Sequence, residues 1–253
     1  MTDKSLGQHW LKDKAILREI VDSAEISSDD TVLEVGPGLG TLTSQILRQS
    51  KRVVAVEFDP NLARKLPGQF PGKDLEVINE DILKFDLSSL PKNYKVVANI
   101  PYYITAKIVE KFLSADNQPS RLVLLVQKEV AQRICAQPGE MSLLALNAQV
   151  YAKTSLGIEV PRQYFTPPPK VDSQVVILDT FTEPLVENDP IFWRVARAGF
   201  SEKRKKLRSS ISAGLAISKS QAEELLDKAG IDPNLRAQDL SIDDWINLAE
   251  EVK

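Results

Sequence analysis

The chain has 253 residues, a net charge of −3, one cysteine and one histidine. Cys135 alone allows no internal disulfide or cysteine-cluster metal site and fits a reducing, cytoplasmic setting. His9 alone excludes multi-histidine metal sites and argues against Ser-His-Asp hydrolysis, so no metal is expected. No window approaches the apolar length of a membrane span, and the first residues, MTDKSLGQHWLKDK, lack the apolar core of a signal peptide.

Short β-rich runs alternate with helical patterns. Thr31–Gly36, Arg52–Glu57, Leu75–Glu80, Lys95–Ile100 and Arg121–Val126 read as strands, the last two continuously apolar like central strands covered on both faces. Thr41–Arg48 and Thr105–Leu113 have helical periodicity. This alternation predicts an α/β fold with a doubly wound, mostly parallel sheet. Ser155–Val160 and Gln174–Leu178 are expected to pair as an antiparallel edge hairpin, joined by the proline-rich stretch Pro161–Ser173.

After Phe181 strand patterns stop and amphipathic helices follow. The expected organisation is a catalytic domain over 1–180 and a small all-helical domain over 181–253. Arg197–Lys219 carries seven basic residues and one acidic, while Gln221–Lys253 carries nine acidic and three basic. Net acidity argues mildly against a nucleic-acid partner, but a local basic patch matters more for binding than the total. Phe200, Leu207, Ile211 and Leu215 form one apolar stripe. A helix over Glu202–Ala213 places Arg204 in that stripe and turns Lys205 and Lys206 to solvent.

Glu34-Val35-Gly36-Pro37-Gly38-Leu39-Gly40 follows the first strong strand and opens a helix. Gly36, Gly38 and Gly40 let the backbone approach a ligand, although any tight strand–helix turn also uses glycine. The spacing G-x-G-x-G differs from the G-x-G-x-x-G of dinucleotide binders. Glu57 ends the next strand, where a carboxylate can accept both ribose hydroxyls. Asp81 follows the third strand and can accept from an adenine amino group or cap a helix. Groups at consecutive strand C-termini line one crevice, and this ordered set looks like the S-adenosylmethionine site of Rossmann-like methyltransferases.

Asn99-Ile100-Pro101-Tyr102 ends the fourth strand at the same crevice. Pro101 restricts Ile100 to extended geometry and supplies no donor, so the Ile100 carbonyl can stay free. That carbonyl and the Asn99 side-chain oxygen make two fixed acceptors for the two N–H groups of an exocyclic amine. Holding both protons aims the nitrogen lone pair at a methyl donor, and Tyr102 can stack on an extruded base. The other reading is a turn into a helix, with Tyr102 in the core.

These residues resemble the motifs of the ribosomal RNA adenine N6,N6-dimethyltransferase family, in particular its bacterial small-subunit branch. The likeness runs through Leu6-Gly7-Gln8-His9-Trp10-Leu11, Glu34–Gly40, Asn99–Tyr102, Phe165–Ser173 and the basic run Phe200–Arg208, nearly the whole chain. The resemblance implies transfer of four methyl groups to two adjacent adenosines in a hairpin near the 3′ end of 16S rRNA, in immature small subunits. It makes His9, Leu11, Gly36, Glu57, Asp81 and Asn99 contacts of S-adenosylmethionine. It puts the target amine on Asn99–Tyr102, and Phe165 opposite Tyr102 across the base. Lys203, Lys205, Lys206 and Arg208 are the RNA-binding candidates, in a chain expected to act as a monomer away from membranes. The chain departs from the family at His9-Trp10, where Asn-Phe is commoner, and in its acidity. The residues leave three other readings: a large-subunit rRNA methylase of the macrolide-resistance type, a small-subunit assembly factor acting by binding, and an NAD-dependent oxidoreductase.

Overall fold

The structure is a computed structural model that describes residues 9–186 and 190–252. Leu6-Gly7-Gln8 of the N-terminal motif lies outside the described residues. The chain divides into two compact units, 1–132 with 152–181 and 133–151 with 182–253. The sequence boundary after 180 therefore misses one exchange: 133–151, including the helix α6 (Leu143–Gln149), groups with the C-terminal helices. Its apolar residues Ala145, Leu146 and Ala148 are buried, and nothing in their periodicity says against which unit.

The first unit is built on a seven-stranded sheet. In chain order its strands are β2 (Thr31–Val35), β3 (Arg52–Glu57), β4 (Asp74–Asn79), β5 (Lys95–Asn99), β6 (Arg121–Gln127), β7 (Ala152–Val160) and β9 (Ser173–Thr180). Their spatial order is β4-β3-β2-β5-β6-β9-β7, with β4 through β6 parallel and β9 antiparallel to both neighbours. The five predicted parallel strands are present within a residue of their expected ends. β7 and β9 pair as expected, but only β7 is an edge, since β9 inserts between β6 and β7. Val175 and Val176 are accordingly fully buried.

β5 and β6 read as unbroken apolar runs because helices cover both faces of a parallel sheet. The helix α4 (Thr105–Leu113) buries Ile108, Val109, Phe112 and Leu113, matching its predicted bounds. On the sheet α1 (Lys14–Asp22) buries Leu17, Ile20 and Val21 and is capped by Asp13, whose carboxylate accepts from the Ala15 and Ile16 N–H groups. The strand order reverses between β2 and β5, and such a switch point opens a crevice at the strand C-termini. A second, two-stranded sheet pairs β1 (Trp10–Leu11) antiparallel with β8 (Phe165–Thr166) inside the proline-rich connection.

In the second unit α7 (Pro190–Phe200) packs on α8 (Leu207–Leu215) and α10 (Ile242–Glu250). Gly199 and Gly214 make this possible: a Cβ on Gly199 would lie 2.2 Å from the Trp245 ring, and one on Gly214 would lie 2.5 Å from Ala198. Phe200, Leu207, Ile211 and Leu215 are all buried, as the stripe required. The predicted helix over 202–213 is shorter. Residues 201–206 form a turn and α8 begins at Leu207, whose N–H donates to the Leu235 carbonyl. Arg204 consequently lies outside any helix and is exposed, not in the stripe.

Candidate active site

A cavity of about 380 Å³ lies at the C-terminal ends of β2 to β5, within the range of small-molecule sites. Its walls include Glu34 from β2, Glu57 from β3, Asp81 after β4 and Asn99 from β5, so four successive strands each deliver one polar side chain. Parallel register does this automatically, because equivalent strand ends stack along one sheet edge.

The glycine loop shapes the floor. The Gly36 N–H donates to the Val56 carbonyl at 2.9 Å, extending the β2–β3 pairing by one residue. At φ +66° Gly36 is in the left-handed region, and a Cβ there would meet nothing within 4 Å. That open space belongs to whatever the cavity holds. Gly38 is glycine for a different reason: a Cβ would sit 2.1 Å from the Trp10 ring, which closes over the loop. Gly40 does not line the cavity; a Cβ on it would strike Leu66 at 2.7 Å, so its role is packing.

Glu57 is 6% exposed and does two jobs. Its carboxylate oxygens accept the N–H of Gly38 at 3.0 Å and of Asp59 at 2.8 Å, tying the glycine loop to β3. Burial pushes its carboxyl above the ordinary range, partly offset by those two N–H groups. Asp81 accepts the Leu83 N–H at 3.0 Å through one oxygen, as a turn cap does, and still lines the cavity.

Glu34 is the residue that sequence reasoning passed over as part of the glycine motif. It is 1% exposed, and one of its oxygens has no hydrogen-bond partner among the described residues. Burial pushes its carboxyl up to about 8; the nearby Thr43 hydroxyl offsets part of this, and the Glu57 charge adds to it. Thr43 lies close enough to favour the ionised form without meeting hydrogen-bond geometry, so its hydroxyl is also unpartnered. A signal was present in TVLEVG: a carboxylate among apolar residues of a central strand has no solvent to turn to.

The Asn99 amide donates to the His9 carbonyl at 3.4 Å, which leaves its side-chain oxygen as an acceptor. The Ile100 carbonyl accepts no bond among the described residues, while Pro101 at φ −59° and ψ 130° holds the chain extended. The Tyr102 hydroxyl bonds the Ser173 hydroxyl at 2.7 Å. Tyr102 is thus a half-exposed wall of the cavity and not a core residue.

Phe165 is not among the residues that line the cavity. Phe165 is 3% exposed, pairs with Leu11 across β1–β8 and belongs to the core cluster with Leu17 and Ile20. Its outward neighbours in the motif alternate with it along a strand, so the ring that β8 turns inward goes to the core. His9 stands opposite Tyr102 instead, with ring centroids 6.1 Å apart and planes 20° apart. Its Nδ1 donates to the Pro167 carbonyl at 2.7 Å, and the Leu11 carbonyl accepts from the Thr41 hydroxyl at 3.0 Å. These contacts fold residues 9–11 over the glycine loop, so both His9 and Leu11 line the cavity.

Lys203 and Lys205 are exposed in the turn before α8, without a side-chain partner among the described residues. Lys206 instead donates to the Asn234 side chain at 2.8 Å, and Arg208 pairs with Glu223 at 2.8 Å. The candidate RNA cations therefore split into two free and two engaged groups, with Arg204 joining the free ones. Among the described residues, no group of three or more His, Cys, Asp or Glu side chains could hold a metal ion, and no helix is long and apolar enough to cross a membrane.

The cavity fits S-adenosylmethionine on its own geometry. A carboxylate at Glu57 suits a ribose diol, Val56, Ile82 and Leu83 supply apolar surface for a base, and the orphaned Glu34 oxygen suits a cation. Open space above Gly36 admits a ligand against the backbone.

Comparison with known proteins agrees with this geometry. Residues 2–253 match the model of the family described as "Ribosomal RNA adenine dimethylase". A protein named "Ribosomal RNA small subunit methyltransferase A" from Dehalococcoides mccartyi (strain CBDB1) is 43% identical, over 98% of this chain and 87% of the relative. One of the same name from Alkaliphilus metalliredigens (strain QYMF) is 41% identical, over 98% and 91%. Among solved structures, a dimethyladenosine transferase from Plasmodium falciparum superimposes with a TM-score of 0.83 at 29% identity, covering 95% of this chain and 96% of that one. The 23S rRNA methyltransferase ErmE does so with 0.77 at 28% identity, covering 96% and 98%.

Proposed function

The chain belongs to the ribosomal RNA adenine dimethylase family, and on that premise we propose that it methylates N6 of two adjacent adenosines in a hairpin near the 3′ end of 16S rRNA, acting as a monomer on immature small subunits. S-adenosylmethionine would supply an electrophilic methyl group, its C–S bond breaking as the N6–C bond forms, so that the thioether S-adenosylhomocysteine leaves and one N6 proton passes to solvent. Relatives named for the small subunit match at 41–43% identity, against 28% for the large-subunit enzyme ErmE, which favours the small-subunit substrate. The G-x-G-x-G spacing and family membership leave no support for a nicotinamide dehydrogenase.

The observation that carries the reading is the acceptor pair at the end of β5. The Asn99 amide has spent a donor on His9, so its oxygen is available to one N6 proton, and the free Ile100 carbonyl is available to the other. In the first transfer both protons are held and the nitrogen lone pair is drawn out of conjugation with the ring; in the second the one remaining N–H is held. The contacts tighten as the nitrogen pyramidalises, so they stabilise the transition state more than bound substrate. Tyr102, fixed by Ser173, lies flat against the extruded base. Glu57 holds the ribose of the methyl donor and the loop beneath it, while Glu34 faces its cationic end. Lys203, Arg204 and Lys205 contact rRNA phosphates, since they are the cations of the basic run that the fold leaves unpaired.

The test is mass mapping of methylated adenosines after incubation with immature small subunits and with large-subunit rRNA. Two dimethylated adjacent adenosines in 16S rRNA are expected. Methylation confined to large-subunit rRNA, or binding to the particle with no methyl transfer, would overturn the reading.

A further inference from the structure

Two side chains at the cavity mouth have no part in the site so far described. Tyr103 is 69% exposed, yet it lines the cavity beside Tyr102. Lys107 lines the same cavity one helical turn later and is exposed. Neither side chain has a hydrogen-bond or ion-pair partner among the described residues. The segment carrying them is nevertheless well held. Thr105 is buried and its hydroxyl donates to the Tyr102 carbonyl at 3.1 Å, and Ile108 and Val109 anchor α4 in the core. An exposed aromatic ring and a free ammonium are thus presented on a rigid turn, at the edge where substrate must enter.

Charge narrows what they can bind. The cavity walls carry the acidic side chains Glu57, Glu80 and Asp81, and Lys107 is the sole Lys or Arg among the lining residues. An anionic backbone is repelled from such walls, so a strand delivering a base into the cavity must route its phosphates along the rim, where Lys107 stands. A ring beside a cation is the elementary unit of single-stranded nucleic-acid binding: the ring stacks on a base and the cation meets the neighbouring phosphate. Tyr102 is the inner ring, tied to Ser173 and next to Asn99, and serves the target base. Tyr103 is the outer ring and lies one position further from the chemistry.

We propose that Tyr103 and Lys107 form a subsite for the nucleotide adjoining the target, Tyr103 stacking on its base and Lys107 pairing with its phosphate. This rests on the rRNA reading above. Because the two substrate adenosines are adjacent and a bound strand has one polarity, the subsite takes the neighbour on one fixed side of the slot, and for one of the two target positions that neighbour is the other adenosine of the pair. A purine gives the phenol ring the larger stacking surface.

The experiment uses the full chain and two synthetic hairpin RNAs, in which each of the two adjacent adenosines is replaced in turn by 2-aminopurine. That base lacks the N6 amine which Asn99 and Ile100 hold, so the true adenosine takes the slot, and in one of the two hairpins the fluorescent base falls on Tyr103. Wild-type protein is expected to quench the fluorophore on binding. Tyr103→Ala should abolish the quench and weaken hairpin binding about 5- to 100-fold, the range for one lost base–aromatic stack. Tyr103→Trp should restore both. Lys107→Ala should lower the log–log salt slope by roughly 0.7, one single-strand phosphate contact. Affinity for S-adenosylmethionine, by calorimetry, should stay within about twofold in each variant, against the 5- to 100-fold or so of a lost stack. Unchanged quench and hairpin affinity in Tyr103→Ala would overturn the subsite. So would a parallel loss of cofactor affinity, which would make the ring part of the cofactor pocket. Failure of wild-type protein to methylate small subunits would instead overturn the rRNA reading, a separate outcome from wild-type methylation with an indifferent Tyr103.

Discussion

Replacing Glu34 with glutamine tests whether the buried carboxylate faces the cationic end of the methyl donor. Burial holds the folded-state carboxyl at about 8, against 4.5 for the unfolded chain. Between those values the unfolded chain gives up its proton while the native chain keeps it. The stability associated with Glu34 is therefore complete below pH 4.5 and is lost as pH rises through about 8. The limiting slope for one proton is about 1.4 kcal/mol per pH unit. Glu57 is shifted the same way by burial and adds to this slope, so the Glu34 share is the difference between wild type and Glu34→Gln. Denaturant titrations from pH 5 to 9 should show wild-type stability falling more steeply than that of the variant. Ligand binding supplies the second readout. At pH 7 a carboxyl with a pKa of about 8 is roughly one-tenth ionised, so a cation docking against it releases up to about 0.9 proton. Calorimetry of S-adenosylmethionine binding in two buffers of different ionisation enthalpy measures that release. Glu34→Gln should release none and should bind the cofactor about tenfold more weakly, as for one lost bond to a charged group. Identical pH–stability curves together with no proton release by wild type would refute the reasoning.

Four further outcomes are expected. Glu57→Gln should weaken cofactor binding about 10- to 100-fold by calorimetry; Glu57→Ala should in addition lower stability by about 2–5 kcal/mol, because it strands the Gly38 and Asp59 N–H groups. Asn99→Ala should slow single-turnover methylation about 100- to 1,000-fold at saturating cofactor with little change in RNA affinity, and a rate within threefold would make Asn99 a turn residue only. Lys203, Arg204 and Lys205 changed together to alanine should reduce the log–log salt slope for small-subunit binding by roughly two to three, whereas Lys206→Ala, which loses the Asn234 contact, should alter it less. Phe165→Ala should destabilise the protein by about 3–5 kcal/mol, as a core truncation does. Phe165→Leu should keep near-normal methylation; a large rate loss there with stability intact would return Phe165 to the base slot.

How far the site was legible depends on how local each signal was. Strand-terminal residues such as Glu57 and Asn99 could be placed from the chain alone, because parallel strands of known order bring their ends to one edge. Tyr102 and the free Ile100 carbonyl followed from the fixed geometry around Pro101. His9 could be associated with the site only by resemblance, since the contact that orients it is to Pro167, 158 residues away. The burial of Phe165 is illegible in the sequence for a related reason: a two-residue pairing with β1 decides which way its ring turns, and two residues leave no periodicity to read. The apolar spacing of the basic run predicts a helix. The pairing of Leu207 with Leu235 ends that pattern and turns Arg204 outward.

What the sequence determined by itself is the part governed by neighbours along the chain. Alternating strand and helix patterns specify a parallel sheet, the glycine spacing specifies a loop that a ligand can approach, and Asn-Ile-Pro-Tyr specifies a strand end with a free carbonyl. Tertiary structure decided the rest, because those properties belong to pairs of residues far apart in sequence. Burial beneath the glycine loop turns Glu34 from a motif residue into a carboxyl that keeps its proton near neutrality. Folding of residues 9–11 onto β8 puts the His9 ring against Tyr102 and Phe165 in the core cluster. The route of 133–151 into the helical unit depends on which apolar face finds a partner, and a hydrophobic stripe carries no address.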